Sequence, residues 1–562
     1  MPTLNWIGKD AVVNHHKEVP FHLLKCDEKL SVPPSSLRDT PPKFSEFGGS
    51  RRGVGNLLVQ GDNLLALKAL LPHYAGQVKC IYIDPPYNTG NEGWVYNDAV
   101  NSPEMKEWLG KVVGSETEDL SRHDKWLCMM YPRLVLLREM LREDGVIFVS
   151  IDDNEEGNLR LLMDEVFTRQ CFVAKLVWKS RQYLDSRALS GISTDHEYIF
   201  AYTKTPGAIK FKGKERDLAK YSNPDNDSRG FWMSRSILGL ATKEQRPNLH
   251  FNLVDPATKI AYPCPPNTGW RYSQETMAQK ISEGRILFPK TKNGRPREKV
   301  FLNELKTDAT GFPSVIDDIF TAQGSLEIRQ ILGGQVFAFP KPSDLIVRLI
   351  EQVTDTESIV LDSFAGSGTT GHAVLQLNKE DGGNRRFILV EMDENICQNI
   401  TAERLKRVSQ GYEWKDQKGN KRKEEGLGGG FRFCTLGETL FDADGQIRRE
   451  VSFEDLARHV YFTETGQPLP ERTPSSRRTR SSGTDFPLLG VHNGVAVYLL
   501  YNGVMKDKSR DGGNVLTRPL LASLPEHDGA KVIYGNGCLL GENTLRSLNI
   551  TFRQVPYEIK VS

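Results

Sequence analysis

The sequence predicts an α/β protein whose mostly parallel sheet is interrupted by a long irregular region. Three observations carry that expectation. Short apolar runs alternate with longer amphipathic ones, first over residues 51–205 and again over 337–408, which is the rhythm of strands joined by crossover helices. Several runs are apolar throughout, as expected where helices cover both faces of a sheet. Between the two regular stretches, residues 206–299 hold 18 Lys and Arg against 9 Asp and Glu and are broken by Pro, Gly and Asn.

The elements follow in order. Residues 1–50 are mixed and proline-bearing ("SVPPSSLRDTPPKF") and are expected to lie as an arm over the main body. Leu57–Gln60 is a short strand, and Asn63–Leu71 a helix with Asp62 or Asn63 at its N-cap, since a short oxygen-bearing side chain satisfies the first free amides. "VKCIYID" is a second strand, "WLCMMYPRLVLLREMLRED" a helix ended by Gly145, and "VIFVSID" a third strand. The helix "NLRLLMDEVF" and the strands "FVAKLVW" and "EYIFAYTK" complete this half. After the irregular region, 206–336, come a helix ("SDLIVRLIEQV"), a strand ("SIVLDSF"), a helix ("TTGHAVLQLN"), a strand ("RRFILVEMD") and a helix ("ENICQNITAERLKRV"). Residues 409–485 are expected to be a charged insert and linker, with "ERTPSSRRTRSSGT" its most polar part. Residues 486–562 return to strand-like runs and form a small C-terminal α/β extension.

Composition excludes several classes. At 562 residues the chain exceeds one core, and a formal charge of +1 gives no global attraction to nucleic acid or membrane. Any charged binding surface must be local. The eight cysteines stand singly, without a CxxC pair or a Cys/His cluster, so no metal site is expected and a reducing, cytoplasmic setting is the default. The start, "MPTLNWIGKDAVVNHHKE", has no apolar core of signal-peptide length, and no run approaches 18 apolar residues; no membrane association is expected.

Two motifs carry chemistry. "SIVLDSFAGSGTTGHAVL" places Gly366, Gly368 and Gly371 in a G-x-G-x-x-G between a strand and a helix, and Glu391 closes the next strand. Glycines there allow a tight turn and close approach to a ligand, and the acid suits ribose hydroxyls. A dinucleotide and S-adenosylmethionine both fit that much. Asp62, Asp84, Asp152, Asp362 and Glu391 all fall at or near strand ends; so many acids would repel a pyrophosphate and suit a sulfonium and ammonium ligand. The second motif, "IDPPYNTG" over 83–90, ends a buried-looking strand on Asp84, Pro85, Pro86 and Tyr87.

These residues resemble the amino-group DNA methyltransferases, which methylate adenine N6 or cytosine N4. "DPPY" is similar to their catalytic tetrapeptide, "DSFAGSGTT" to their cofactor loop, and "GDN" (61–63) and "FPKPSDLI" (339–346) to two cofactor-side motifs. The order, catalytic motif first, resembles the permuted beta class, and "VIFVSIDDNE" with the long C-terminal part resembles the modification (Mod) subunits of type III restriction systems. The resemblance is strong over 55–205 and 335–408. It implies a Rossmann-like methyltransferase sheet with an inserted irregular α+β target-recognition region, S-adenosyl-L-methionine as cofactor, double-stranded DNA as substrate, and the assembly features of such systems: a restriction (helicase-nuclease) subunit and a homodimer.

The residue roles implied are specific. Asp84 and the Pro85 carbonyl accept the amine protons, the prolines stiffen the turn, and Tyr87 stacks a base swung out of the duplex. Asp rather than Ser in the first position tips the target to adenine N6. Glu391 takes the ribose hydroxyls and Asp62 the adenine amino group of the cofactor. Asp362 with Gly366 and Gly368 cradles its methionine part, and Thr369 and Thr370 bond its carboxylate. Lys341 and Pro342 flank the cofactor, and Phe364 is either pocket lining or core. On the DNA side, Arg235, Lys243, Arg246, Arg271, Arg295 and Arg297, interleaved with Trp232, Trp270 and Tyr272, are the candidates for phosphate and base contact, with Arg181 in a loop over the active site. His123 and His196 are expected to be structural. Competing readings are a cytosine-N4 or RNA methyltransferase, a nicotinamide-dependent oxidoreductase on the same glycine fingerprint, and a non-catalytic DNA-binding protein with a methylase fold.

Overall fold

The structure is a computed structural model, and it describes residues 4–33, 55–89, 121–186, 191–470 (except 292, 306, 308 and 417), 487–501, 513–556 and 559. The expected linker at 471–484 and the last residue of "IDPPYNTG" lie outside the described residues. Contacts divide the chain into two compact units, Met1–Phe211 with Pro313–Ser562, and Lys212–Phe312.

The larger unit is built on a ten-stranded sheet. Its strands are β1 (His22–Val32), β2 (Leu57–Gln60), β3 (Val78–Ile83), β4 (Leu141–Ile151), β5 (Phe172–Trp178), β6 (Glu197–Thr203), β7 (Val315–Ile316), β8 (Ile359–Asp362), β9 (Arg386–Glu391) and β10 (Phe431–Thr439). They lie in the order β1-β10-β2-β9-β8-β3-β4-β6-β5-β7. The six from β10 to β4 are mutually parallel. Every residue of β3 and β8 is buried, which is why these runs carry no polar alternation. The helices are α1 (Asn63–Tyr74), α2 (Ser121–Met140), α3 (Glu156–Phe167), α4 (Thr321–Leu332), α5 (Ser343–Val353), α6 (Thr369–Asp381) and α7 (Glu403–Gln410).

The connections fix where a ligand belongs. From β8 the chain passes through α6 to β9 on one side, and from β3 through α2 to β4 on the other. Strand order therefore reverses between β8 and β3, and a crevice opens at their carboxyl ends, the usual ligand position in open α/β sheets.

Three expected boundaries differ from the structure. Part of the N-terminal arm is β1, antiparallel to β10, so residues 1–50 and 409–485 both contribute strands to the main sheet. Pairing supplies the reason: β10 adds to the edge of β2 and β1 covers β10, leaving fewer open backbone groups. Cys26 and Cys434 face each other in this ladder and are bridged by a disulfide, a pair 408 residues apart that no spacing signalled. Residues 313–336 belong to the larger unit rather than to the irregular region, because β7 pairs with β5 and α4 packs on α7. Finally, Leu141–Asp144 begin β4 instead of ending α2; Lys79 Nζ donates to the Asp144 carboxylate at 2.8 Å and draws that segment onto β3.

The C-terminal part carries α8 (Phe453–Thr465) against a four-stranded sheet of β11 (Leu488–His492), β12 (Val495–Leu499), β13 (Ala530–Gly535) and β14 (Ile550–Gln554), the last three parallel. The smaller unit has a three-stranded antiparallel sheet of Ile286–Leu287, Arg297–Phe301 and Trp232–Ser236, and a helix, Gln274–Ser282, capped by Ser273. Its core gathers Ile237, Leu253, Tyr262, Trp270 and Met277.

Candidate active site

Asp84 follows directly on the last residue of β3, and the glycine loop follows directly on β8, so both motifs meet at the reversal of strand order. A pocket there is lined by Asp84, Pro85, Pro86 and Tyr87 on one side and by Asp362, Phe364, Gly366, Thr369 and Thr370 on the other. Lys341, from the segment entering α5, also lines it. Phe364 is both lining and core, since it packs within the main apolar cluster.

The tetrapeptide is held rigidly. Trp126 Nε1 donates to the Pro86 carbonyl at 2.7 Å. The next residue, Asn88, sits in the left-handed region (φ 58°) and donates to the buried Glu155, which also receives His123 Nδ1 at 2.7 Å. His123 is thus a brace for the loop. Tyr87 Oη lies 2.9 Å from both Asp84 Oδ1 and Glu197 Oε2, and with one hydrogen it donates to one carboxylate at a time. Lys341 Nζ donates to Tyr87 Oη at 2.8 Å and pairs with Asp84 Oδ1 at 2.9 Å and Glu197 Oε2 at 3.2 Å, while lying 4.9 Å over the Tyr87 ring. Burial pulls the Lys341 ammonium down, but the two carboxylates outweigh it and leave it above the ordinary lysine value. Burial, reinforced by the charge of Asp84 and Glu197, holds the Tyr87 phenol well above its ordinary value, so it stays protonated.

The glycine loop is braced from beneath. Asp362 accepts the Phe364 amide at 2.9 Å and the Thr370 hydroxyl at 2.5 Å. Glu391 accepts the Gly366 amide at 2.7 Å and the Asp393 amide at 3.0 Å. Burial raises both carboxyls to about 7. Gly366 and Gly368 have φ of 50° and 78°, left-handed values that favour glycine. Arg404, fully buried on α7, donates to Ser367 Oγ at 3.0 Å and Thr369 Oγ1 at 2.8 Å, and pairs with Glu327 at 3.1 Å. Thr369 in turn donates to the Lys341 carbonyl at 3.1 Å.

The family comparison matches the chain to DNA methylases over residues 78–403. The chain belongs to the DNA methylase family. Among its relatives, the methylase is 35% identical to the StyLTI Mod subunit, a type III restriction-modification enzyme of Salmonella typhimurium, over 62% of this chain and 54% of that protein. It is 34% identical to the EcoPI Mod subunit of Escherichia phage P1 (70% and 64%) and 32% identical to the EcoP15I Mod subunit of Escherichia coli (72% and 69%). The chain thus spans little more than half the length of the first of these proteins.

In this methylase several expected site residues are placed differently from their expected roles. Asp62 does not line the pocket; its Oδ1 caps α1 through the Leu64 and Leu65 amides, and its Oδ2 pairs with Arg133 at 3.0 Å. Gly368, Glu391 and Pro342 are not among the lining residues either. Thr370 has committed its hydroxyl hydrogen to Asp362 and Thr369 its own to the Lys341 carbonyl. The Lys341 side chain reaches Asp84 and Tyr87, and its backbone carbonyl accepts from Thr369 of the glycine loop.

Two residues with clear contacts had no signal in the motifs. Glu197 opens β6, whose sequence reads only as strand; Arg404 lies in a helix that reads as amphipathic. Neither contact is short-range, and the topology alone brings them in.

On the DNA side, Lys243, Arg246, Arg271 and Arg295 are exposed, and among the described residues no carboxylate stands within ion-pair distance of them. Arg235 is committed to Glu298 at 2.9 Å and to Tyr272 Oη at 2.9 Å, and Arg297 to Ser234. Arg181 is exposed and paired with Asp185 at 2.8 Å. Trp232 and Trp270 are buried, their indole N–H groups bonded to Asp225 and the Phe251 carbonyl. They are core residues and offer no face to a displaced base, because the smaller unit spends its largest aromatics on its own small core.

Proposed function

We propose that the chain is an S-adenosyl-L-methionine-dependent methyltransferase that modifies adenine N6 in double-stranded DNA. The observation that carries the reading is the meeting of Asp84–Tyr87 and the glycine loop in one pocket at the reversal of strand order. The donor set fits the cofactor's charge: the pocket holds Asp84 and Asp362, and buried Glu391 stands behind its loop, so a cationic ligand is favoured over a pyrophosphate. When bound, S-adenosylmethionine supplies a methyl group on a sulfonium. The chain's own part is to orient the amine. An exocyclic amine is a weak nucleophile because its lone pair is delocalised into the ring; Asp84 and the Pro85 carbonyl accept its two N–H groups and stabilise the positive charge that develops on it. Asp84, Pro85, Pro86 and Tyr87 are the catalytic group. Phe364, Gly366, Thr369, Thr370 and Asp362 contact the cofactor, with Glu391, Gly368, Asp62, Lys341 and Pro342 in support.

Similarity to Mod subunits supports further proposals: a restriction subunit as partner, a homodimer, and action inside the cell. No helix among the described residues is long and apolar enough to cross a membrane. The exposed Lys243, Arg246, Arg271 and Arg295 are the proposed phosphate contacts, with the exposed Arg181 a further candidate, and Arg235 and Arg297 hold the fold of the smaller unit.

The test is direct. Purified protein, a labelled methyl donor and mixed-sequence duplex DNA should give N6-methyladenine at one short motif, read by methylation-aware sequencing. N4-methylcytosine would overturn the base assignment, and labelled RNA with unlabelled DNA would overturn the substrate class.

A further inference from the structure

We propose that Glu197 is the second carboxylate of the catalytic centre, a positioning residue that acts on Asp84 through Lys341 and Tyr87; this rests on the methyltransferase reading. Glu197 stands at the start of β6, in register with Trp178 at the end of β5, and Trp178 is fully buried. Its Oε2 lies 2.9 Å from Tyr87 Oη and 3.2 Å from Lys341 Nζ. Lys341 and Tyr87 both also bond Asp84 Oδ1, at 2.9 Å each. The ammonium therefore bridges the two carboxylates, and the phenol between them gives its single hydrogen to one or the other. Among the described residues no protein donor bonds Asp84 Oδ2. The bridges fix one oxygen of Asp84 and leave the other to accept an N–H of the target amine.

Charge explains why a second carboxylate is needed. Asp84 and Lys341 alone would form a neutral pair, a poor stabiliser of an amine becoming cationic. Glu197 shares the lysine, so the cluster of Asp84, Glu197, Lys341 and protonated Tyr87 carries a net −1. It also holds the Tyr87 ring by its hydroxyl, which fixes the plane offered to a base.

Glu197→Gln keeps shape and hydrogen-bonding capacity and removes the charge. In the full chain, kcat for methyl transfer to duplex DNA should fall roughly 10- to 100-fold, with KM for the methyl donor and DNA within about twofold. Glu197→Gln/Lys341→Met restores the net −1 and should recover at least about fivefold of the lost kcat. A kcat in Glu197→Gln equal to the wild type, or a double variant no faster than the single one, would overturn the inference. Absence of transfer by the wild type would overturn the reading instead. In that event the Lys341 titration midpoint, followed by NMR of labelled lysine, decides alone. It should fall in Glu197→Gln, and an unchanged midpoint overturns the inference.

Discussion

At the residue scale, the placement of individual carboxyl groups decides what each can do. Among the described residues Asp84 is bonded through one oxygen only and makes no bond to the glycine loop, so removing it leaves that loop untouched. Asp84→Ala should lower kcat by about 10³-fold or more, while cofactor affinity measured by calorimetry changes less than about threefold. Loss of both together would make Asp84 a structural residue. Asp362 and Glu391 make a different prediction. Burial lifts them from ordinary values of 3.8 and 4.5 to about 7, so the folded state holds these protons more tightly than the unfolded one. Without ligand, their contribution to stability is present below pH 4 and is lost as pH rises toward 7. A cationic ligand favours the ionised forms and reverses that preference. Cofactor should therefore bind more tightly at pH 8 than at pH 6, with protons released on binding near pH 7. Calorimetry in two buffers of different ionisation enthalpy checks this; equal apparent heats at pH 7 would count against it.

At the element scale, the glycine loop owes its shape to what lies beneath it. A Cβ on Gly368 would stand 3.0 Å from Thr401 Cγ2, at a φ of +78° that β-branched residues avoid. Gly368→Val should destabilise by roughly 2 kcal/mol in urea unfolding and abolish measurable cofactor binding. Normal affinity would detach the loop from the cofactor. Arg404 is the second support. Arg404→Leu strands Glu327 and frees Ser367 and Thr369, and should cost about 3 kcal/mol with weakened cofactor binding. The difference in legibility between these two positions is instructive. Gly368 was visible because strand, turn and helix are adjacent in sequence and obey local rules. Arg404 and Glu197 were invisible because the partners named above lie 35 or more residues away, and nothing local distinguishes a buried, paired charge from a solvated one. The same holds for Asp62: its place at a helix N-cap was legible, its ion pair with Arg133 on α2 was not.

At the scale of the whole molecule, sign of charge is distributed rather than summed. The chain is nearly neutral, at +1, so the proposed DNA affinity has to come from local groups. The basic excess of the irregular region was legible by counting, and its interleaving of basic and aromatic residues made all of them candidates for phosphate and base contact. The structure separates that set. Within the smaller unit, Arg235 and Lys280 pair with the buried Glu298, Lys299 and Arg229 together neutralise Asp225 and Asp227, and the tryptophans are interior. Lys243, Arg246, Arg271 and Arg295 remain exposed. Sequence could not make this division, because it depends on which strands face each other: Arg235 meets Glu298 only through the pairing of Trp232–Ser236 with Arg297–Phe301. The two groups should behave oppositely in solution. Each phosphate contact contributes about −0.9 to the slope of log K against log salt. Replacing the four exposed residues with alanine should flatten that slope by up to about 3.6 and weaken binding on every duplex sequence. Arg235→Ala should leave the slope unchanged and lower the melting temperature, because Glu298 loses one of its two cations. Fluorescence anisotropy across a salt series, paired with thermal unfolding, separates the outcomes. A flattened slope in Arg235→Ala with unaltered melting would place that arginine on DNA after all.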